Sequence, residues 1–344
     1  FANLAGERLA KSPYGQALWG LCVMDLASGE TLYSEGGDKL FMPASNRKLF
    51  VSAFALDVLG GEYRFRTTLE YSGAVAPDGV LNGDLVVRAS GDPSISGRFR
   101  SDSSATAILR EWARQTKAKG IGAVAGDLVV DASCFDPATR MGEGWSWEYE
   151  SSYYAAPSGA FSFNENTVLV CVSPGSASGE RCRIELVPKA DCFVIDNQTS
   201  TSSSSSGTIV VERERGSNVI KVRGSMRRGA GTDYNSISVV DPSLFAGSAL
   251  KAVFEREGVA IGGQVRVVYE APKTTGEALV EHLSPPLKDI LKHVNQSSNN
   301  HMAEMIYLAT GRAATGMRAS YARSAEAEAQ FWRKMGISDA ARLH

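Results

Sequence analysis

The sequence predicts an α+β protein in which one domain is divided by a large β-rich insertion. Three observations support this fold class: a strand pair and a helix begin the chain, short strands with frequent turns fill about residues 63–239, and helical periodicity dominates from residue 241 onward. Strands and helices that are segregated in this way are typical of α+β architecture. We therefore expect one domain to comprise residues 1–64 and 238–344, and an inserted domain to comprise 65–237 with a nested subdomain at about 157–232.

The first segment is predicted to be a β-hairpin followed by a helix. The apolar run at 18–25 predicts a buried strand, Ser28-Gly29 predicts a turn, and 31–34 predicts the returning strand. A second apolar run, at 49–59, stops at Gly60-Gly61 and predicts a buried helix.

The middle of the chain has one clear helical segment, at 105–117. The sequence Gly-Asp-Leu-Val-Val occurs at 83–87 and again at 126–130, which predicts two strands of a sheet. The polar run 199–207 predicts a solvated loop. The last third is predicted to be mainly α-helical, with helices at 241–256, 286–294, 300–311 and 319–335.

Composition excludes several classes of function. A net charge of -2 and a pI of about 6.2 leave no basic surplus, which argues against a nucleic-acid partner. No apolar run reaches the roughly 18 residues that a transmembrane helix needs, so none is expected. The first residue, Phe1, fits a mature chain whose export signal has been removed, and we expect a periplasmic or other extracytoplasmic location.

The five cysteines match neither a zinc site nor a C-x-x-C redox pair. One disulfide among Cys171, Cys182 and Cys192 is one interpretation if the compartment is oxidising, and buried thiols are the other. The four histidines show no H-E-x-x-H or other metal-binding spacing, and no G-x-S-x-G motif is present. Metal catalysis and a Ser-His-Asp triad are therefore disfavoured. For His301, two interpretations stay open: it lines a cleft, or it lies on a helix surface.

The pattern S-x-x-K occurs at Ser45-Lys48 and at Ser248-Lys251. A lysine three residues after a serine lies on the same helix face, where its neutral amine can take the hydroxyl proton. Ser45 follows Pro43 at the start of its predicted helix, where unpaired backbone N–H groups favour an oxyanion, whereas Ser248 lies in mid-helix. Spacing alone would equally fit an N-capping serine beside a surface lysine.

A second pattern, S-x-N, occurs at Ser298-Asn300 on a turn that enters a helix. Such a serine can relay a proton to a leaving amine, and the asparagine amide can hold a peptide group and bond the lysine. The same spacing at Ser162-Asn164 is interpreted as turn chemistry in the inserted domain, and that at Ser297-Asn299 as an offset copy of the motif.

Together, Pro43-Ala44-Ser45-x-x-Lys48 and Ser298-x-Asn300-x-x-Ala303-Glu304, separated by a β-rich insertion, resemble the low-molecular-mass class C penicillin-binding proteins, which are D-alanyl-D-alanine carboxypeptidases and endopeptidases. Flanking segments agree with this resemblance across the chain: Tyr63-Arg64-Phe65, Gly91-Asp92-Pro93, Gly144-Trp145, Tyr154-Ala155-Ala156-Pro157 and Ser284-Pro285-Pro286-Leu287. The resemblance implies a serine β-lactamase/transpeptidase-like domain, an antiparallel sheet with helices, around the insertion.

The resemblance also implies the roles of individual residues. Ser45 would be the nucleophile, Lys48 its general base, Ser298 the proton relay and Asn300 the clamp for a substrate amide, and no cofactor or metal would be needed. The implied partners are a peptidoglycan stem peptide and β-lactam antibiotics. Candidate residues to wall the substrate site lie in the insertion, where an aromatic core is the alternative interpretation: Trp145, Trp147, Glu148, Glu150, Tyr153 and Tyr154.

The chain departs from the family pattern in one respect. The family's K-T-G element, which supplies a carboxylate site and the second oxyanion donor, has no match, and Lys273-Thr274-Thr275-Gly276 is an imperfect copy that precedes S-x-N. We therefore expect the C-terminal strands of the central sheet to be absent from this chain and the K-T-G segment to be supplied elsewhere, through truncation, disorder or a separate polypeptide. The alternatives to an active peptidase are an inactive peptidoglycan-binding scaffold and a β-lactamase.

Overall fold

The computed structural model describes residues 2–11, 13, 15–142, 144–272 and 276–337. The helices are α1 (Ala2–Lys11), α2 (Arg47–Val58), α3 (Ala107–Ala118), α4 (Pro242–Arg256), α5 (Leu287–Ser297), α6 (Asn300–Thr315) and α7 (Tyr321–Lys334). The strands are β1 (Leu21–Met24), β2 (Thr31–Glu35), β3 (Arg66–Tyr71), β4 (Ala74–Val75), β5 (Val80–Asn82), β6 (Leu85–Arg88), β7 (Ala123–Val124), β8 (Leu128–Asp131), β9 (Thr167–Ser173), β10 (Arg183–Val187), β11 (Val194–Ser202), β12 (Val210–Arg213), β13 (Val219–Arg227), β14 (Asp233–Ser238), β15 (Ala260–Ile261), β16 (Val265–Val268) and β17 (Glu277–Leu283). The chain forms an α+β fold with two compact units, residues 1–47 and 48–344.

The first unit contains α1 and the predicted hairpin. β1 and β2 pair antiparallel, and the Asp25 carboxylate accepts hydrogen bonds from the backbone of Ala27 and Ser28 in the turn. The hairpin is confirmed, but the prediction that its first strand is buried is wrong, since Leu21 is 38% exposed and Met24 is 49% exposed. Within the described part of this unit, the hairpin is a two-stranded sheet.

The largest sheet of the second unit has the strand order β16-β8-β6-β3-β17. β16, β8 and β6 run parallel to one another, β3 is antiparallel to β6, and β17 is antiparallel to β3 at the edge of the sheet. The two predicted Gly-Asp-Leu-Val-Val strands are confirmed as β6 and β8, which are parallel neighbours with Leu85 opposite Leu128. A smaller sheet has the order β15-β7-β5-β4.

The five-stranded sheet contains strands from both sides of the expected domain boundary at residues 237 and 238. β16 and β17 follow that boundary, yet they pair with β8 and β3. α4 packs on β8 and β16, α3 packs on α4 and β17, and Trp112 and Phe245 are buried in the shared core. Burial of the apolar faces of both helices against the sheet is the main force that holds these segments together.

Two three-stranded sheets, β10-β9-β14 and β11-β13-β12, complete the β-rich region. The prediction of a loop at 199–207 is wrong for its first four residues, which belong to β11. Thr199 and Thr201 are buried there, because β-branched side chains at alternate positions fit one face of a pleated strand. Cys171, Cys182 and Cys192 carry free thiols, so the structure favours the interpretation without a disulfide.

Four helices, α2, α5, α6 and α7, form a second core. Phe54, Leu291, Ile306 and Trp332 are buried in it, one from each helix. The helices predicted near 286–294, 300–311 and 319–335 are confirmed with boundaries shifted by a few residues. Within the ranges that the structure describes, no helix is both long and apolar enough to cross a membrane.

Candidate active site

Lys48 lies in the first turn of α2, with its side chain almost enclosed. Only 8% of the residue is exposed, and its Nζ donates a hydrogen bond of 2.6 Å to Oδ1 of Asn300. Burial lowers the pKa of Lys48, whereas the negative charge of Glu304 acts in the opposite direction. The lysine is therefore held by a neutral amide in surroundings that favour its uncharged form.

Asn300 is the first residue of α6, and its amide is bonded on both sides. Its Nδ2 donates to the backbone carbonyl of Tyr154 at 2.9 Å, while its Oδ1 accepts from Lys48. A carbonyl can only accept, so Tyr154 fixes which end of the amide faces the lysine. The lysine–asparagine contact expected from the two motifs is present in the structure, across 252 residues of sequence.

Ser298 lies in the turn between α5 and α6, two residues before Asn300 in the sequence. Ser298 is exposed and has a left-handed backbone, with φ of 55°, which is uncommon for a residue other than glycine. Asn299 caps α6 by accepting a hydrogen bond from the Met302 N–H at 2.8 Å. Its Nδ2 donates to Glu165 at 2.7 Å, so the turn is tied to the β-rich region.

His301 provides a second tie between α6 and the same region. Its ring is buried, and its Nε2 lies 3.0 Å from both Asn166 Nδ2 and Ser162 Oγ. Because Asn166 Nδ2 can only donate, Nε2 is an acceptor and the ring proton belongs on Nδ1. Burial lowers the pKa of His301 to about 3, so the ring is neutral. The helix-surface interpretation of this residue was wrong.

Residues 164–166 form the turn that makes both ties possible. Asn164, Glu165 and Asn166 all have positive φ, between 50° and 55°. Arg98 forms an ion pair with Glu165, and the Asn166 amide also donates to the Pro157 carbonyl. Three successive left-handed residues are costly, and these side-chain bonds are the interactions that stabilise the turn.

Ser45 belongs to the first unit and is described by itself. It lies in the 3-10 turn Ala44–Asn46, is exposed, and follows Ala44, whose φ is 46°. The Asn46 N–H donates to Pro43 O, and the Arg47 N–H donates to the carbonyls of Ala44 and Ser45. The hydroxyl-bearing residue is thus on a tight turn immediately before α2.

The predicted wall residues fall into two groups. Trp147, Glu148, Tyr153 and Tyr154 are exposed, and Tyr154 packs against the rings of Tyr153 and Trp145. Trp145 also donates to Glu304, which is one helical turn beyond Asn300. This group forms an aromatic surface next to the lysine–asparagine pair.

Glu150 is already engaged by protein groups. Its carboxylate accepts from Arg215 at 3.1 Å, and its backbone carbonyl accepts from the buried Arg213. The Arg215 guanidinium also lies 5.5 Å from the centre of the Trp147 ring. These contacts indicate that Glu150 anchors the aromatic segment.

The contacts of Glu165, Asn166, His301 and Glu304 were not predicted from the sequence. His301 and Glu304 stand next to the S-x-N motif, which was the available signal. Glu165 and Asn166 lie 134 and 135 residues before their partners Asn299 and His301, so spacing gives no indication of either contact. The Lys273–Thr275 segment of the imperfect K-T-G copy lies outside the described residues. In the part of the chain that is described, no group of three or more His, Cys, Asp or Glu side chains could hold a metal ion.

A lysine from S-x-x-K that is bonded to the asparagine of S-x-N defines the class of penicillin-binding proteins and serine β-lactamases. A model of the D-Ala-D-Ala carboxypeptidase 3 (S13) family matches residues 2–343, and the chain belongs to that family.

Individual relatives agree with this assignment. The chain is 32% identical over 308 residues to the D-alanyl-D-alanine carboxypeptidase of Actinomadura sp. (strain R39), covering 87% of this chain and 55% of the relative. It is 26% identical over 315 residues to the D-alanyl-D-alanine carboxypeptidase DacB of Haemophilus influenzae, covering 90% and 62% respectively. The chain therefore spans 55 to 62% of the length of these two curated relatives.

Solved structures show the same fold. Penicillin binding protein 4 (dacB) of Haemophilus influenzae superposes with a TM-score of 0.77 at 24% identity, over 92% of this chain and 68% of that one. A second structure of that protein, complexed with a β-lactam, gives a TM-score of 0.70 at 23% identity, over 92% and 66%.

Proposed function

We propose that this protein is a serine D-Ala-D-Ala carboxypeptidase or endopeptidase that acts on peptidoglycan stem peptides through an acyl-enzyme on Ser45. The observation that carries the proposal is the 2.6 Å hydrogen bond from Lys48 to Asn300, which joins the two catalytic motifs of the family. Family membership supports the substrate class, and the β-lactam complex of the Haemophilus relative supports acylation by β-lactams.

Acylation begins with proton transfer from the Ser45 hydroxyl to the neutral Nζ of Lys48. The Ser45 oxygen then bonds to the carbonyl carbon of the penultimate D-alanine, and the backbone N–H of Ser45 supplies one donor to the oxyanion. The C–N bond breaks when the proton passes through Ser298 to the leaving amine. Water then hydrolyses the ester and restores the Ser45 hydroxyl. The S-x-x-K spacing and the lowered pKa of Lys48 support this assignment.

Asn300 holds the substrate peptide while it also holds Lys48. An amide nitrogen has two N–H groups, and the Tyr154 carbonyl takes one of them. The other is directed to a carbonyl of the stem peptide. Trp147, Glu148, Tyr153 and Tyr154 wall the bound peptide, while Glu150 holds this segment in place through Arg215.

The domain organisation remains part of the proposal. The transpeptidase-like domain contains 1–64 and the C-terminal helices, and the inserted domain begins at residue 65. The pairing of β16 and β17 with β8 and β3 argues for moving the second boundary from residue 237 to the end of β17 at Leu283. We propose an extracytoplasmic location, since the peptidoglycan substrate lies outside the cytoplasm. The carboxylate-binding K-T-G role is assigned to no residue of this sequence.

The test is mass spectrometry of the protein after incubation with penicillin. We expect one added β-lactam mass in the wild type and none in Ser45→Ala, with D-alanine release from a stem peptide lost in the same variant. Labelling that survives in Ser45→Ala would refute the nucleophile. Penicillin turnover without a stable adduct would identify a β-lactamase instead, and stem-peptide binding without D-alanine release would identify an inactive scaffold.

A further inference from the structure

Glu304 lies on α6 one turn beyond Asn300, so both side chains occupy the same face of the helix. The carboxylate is held by two donors from different segments. Trp145 Nε1 donates to Oε1 at 3.3 Å, and the Tyr321 hydroxyl at the start of α7 also hydrogen-bonds the carboxylate. Gly142 packs against it so closely that a Cβ there would lie 3.3 Å from Oε2.

Tyr321 is itself positioned by the β-rich region. Its hydroxyl lies 3.0 Å from Oγ of the buried Ser158. Burial raises the pKa of Tyr321 well above its usual value, and the Glu304 charge adds to this effect, so the hydroxyl keeps its proton and donates. Trp145 and Tyr321 therefore hold Glu304 in one geometry without neutralising its charge.

The groups that surround Lys48 differ in charge. On α2, Ser52 is neutral, and its hydroxyl donates to the Lys48 carbonyl. Asn295 of α5 donates to Ser52, and Asn300 of α6 accepts from Lys48; both are neutral amides. Glu304 of α6 brings a negative charge to this group, and its field favours the ammonium form of Lys48.

We propose that Glu304, held by Trp145 and Tyr321, is a positioning residue that sets the pH range in which Lys48 is a competent base. This inference rests on the proposed function. Glu304 neither gives nor takes a proton in the reaction. It stabilises the ammonium that Lys48 becomes after it accepts the Ser45 proton, and it opposes the effect of burial on the resting enzyme.

The experiment measures the second-order rate constant of acylation by penicillin as a function of pH. Lys48 is a base only when neutral, so acylation increases as pH rises through its pKa. Removal of the nearby negative charge lowers that pKa. We therefore expect Glu304→Gln to move the acidic limb of the profile to lower pH by about one unit.

Glu255→Gln is the matched control, because Glu255 lies 3.9 Å from the lysine of the other S-x-x-K sequence. Its profile should coincide with the wild type.

Three further variants separate the charge from the fold. Glu304→Asp keeps the charge and should keep the acidic limb within a few tenths of a unit of the wild type. Trp145→Phe and Tyr321→Phe each remove one donor and should shift the limb in the same direction as Glu304→Gln by a smaller amount. If Glu304→Gln does not fold, as judged by its thermal melt, Glu304→Ala, which also removes the charge, decides the question.

An acidic limb that stays in place in Glu304→Gln, or in Glu304→Ala where the first variant is unfolded, overturns the role of Glu304 while acylation itself continues. Failure of the proposed function gives a different result, because the wild type would then form no Ser45-dependent adduct at any pH.

Discussion

The two S-x-x-K sequences of this chain share a spacing and differ in everything around it. Lys48 is buried and donates to a side-chain amide 252 residues away, whereas Lys251 donates to the Gly263 backbone carbonyl at 2.6 Å and lies 3.9 Å from Glu255 on the same helix. Burial lowers the pKa of Lys48, whose direct partner is a neutral amide, whereas Lys251 has a carboxylate beside it. Only Lys48 has surroundings suited to a base.

The two serines differ as well. Ser45 is exposed on the turn before α2, and Ser248 lies inside α4, where its hydroxyl hydrogen-bonds Cys192. N–H groups inside a helix are already bonded, so Ser248 has no oxyanion donor to offer. An S-x-x-K sequence therefore needs two further features to form a catalytic site: a serine at the start of a helix, and a partner for the lysine from a distant part of the chain.

The largest difference is expected between Lys48→Ala and Lys251→Ala. Loss of a general base should reduce the rate of acylation by penicillin roughly 10³-fold in Lys48→Ala. Lys251→Ala, the matched control, removes a lysine at the same spacing. It should leave the acylation rate within about twofold of the wild type, because Lys251 only bonds the protein's own backbone. Stopped-flow acylation kinetics measure both. Equal rates in the two variants would mean that the distinction between the copies is false.

The next effect tests the neutral partner of Lys48. Asn300→Asp keeps the shape of the side chain and replaces the amide with a carboxylate, which makes Lys48 resemble Lys251 beside Glu255. The new charge raises the pKa of Lys48, so the acidic limb of acylation moves to higher pH. At neutral pH we expect roughly a 100-fold loss, because each unit of pKa shift changes the neutral fraction about tenfold.

Recovery at alkaline pH distinguishes this cause from misfolding. Acylation by Asn300→Asp should rise again about two pH units above the wild type, to a plateau below that of the wild type because the N–H groups that bond Tyr154 and the substrate are also lost. A uniform loss at all pH values would instead assign Asn300 to substrate binding alone.

Local patterns in the sequence predicted the elements that carry Lys48 and Asn300. Apolar periodicity located α2, α5, α6 and α7, and the chemistry of S-x-x-K and S-x-N selected the pair that the structure brings together. Each of these signals is contained within a few residues of sequence, so no knowledge of the fold was needed to find it.

The contacts between distant segments could not be predicted in this way. Asn166 bonds His301 across 135 residues, and β16 pairs with β8 across more than 130. Such contacts depend on how sheets and helices pack, which no spacing encodes. The same limit explains the error for β1, where an apolar run was interpreted as buried although β1 and β2 pair only with each other in the described residues.

The smallest effect on acylation is expected from the anchor of α6, whose contribution is to the free energy of unfolding. His301 has a pKa of about 3 in the folded protein, below the usual 6.5. The neutral ring therefore contributes its full stability above the higher value, and the contribution is lost as pH falls from 6.5 toward 3, by up to about 1.4 kcal/mol per pH unit. Unfolding by urea at several pH values should show this acid-dependent loss in the wild type and a reduced loss in His301→Gln.

His293→Gln is the control. Burial and Arg98 lower the pKa of His293 as well, but its ring is only partly buried, so its replacement should remove less of the acid-dependent loss of stability. If His301→Gln and the wild type lose stability in parallel below pH 6, protonation of His301 is not what loosens α6, and the anchor must depend on Glu165 and Asn299.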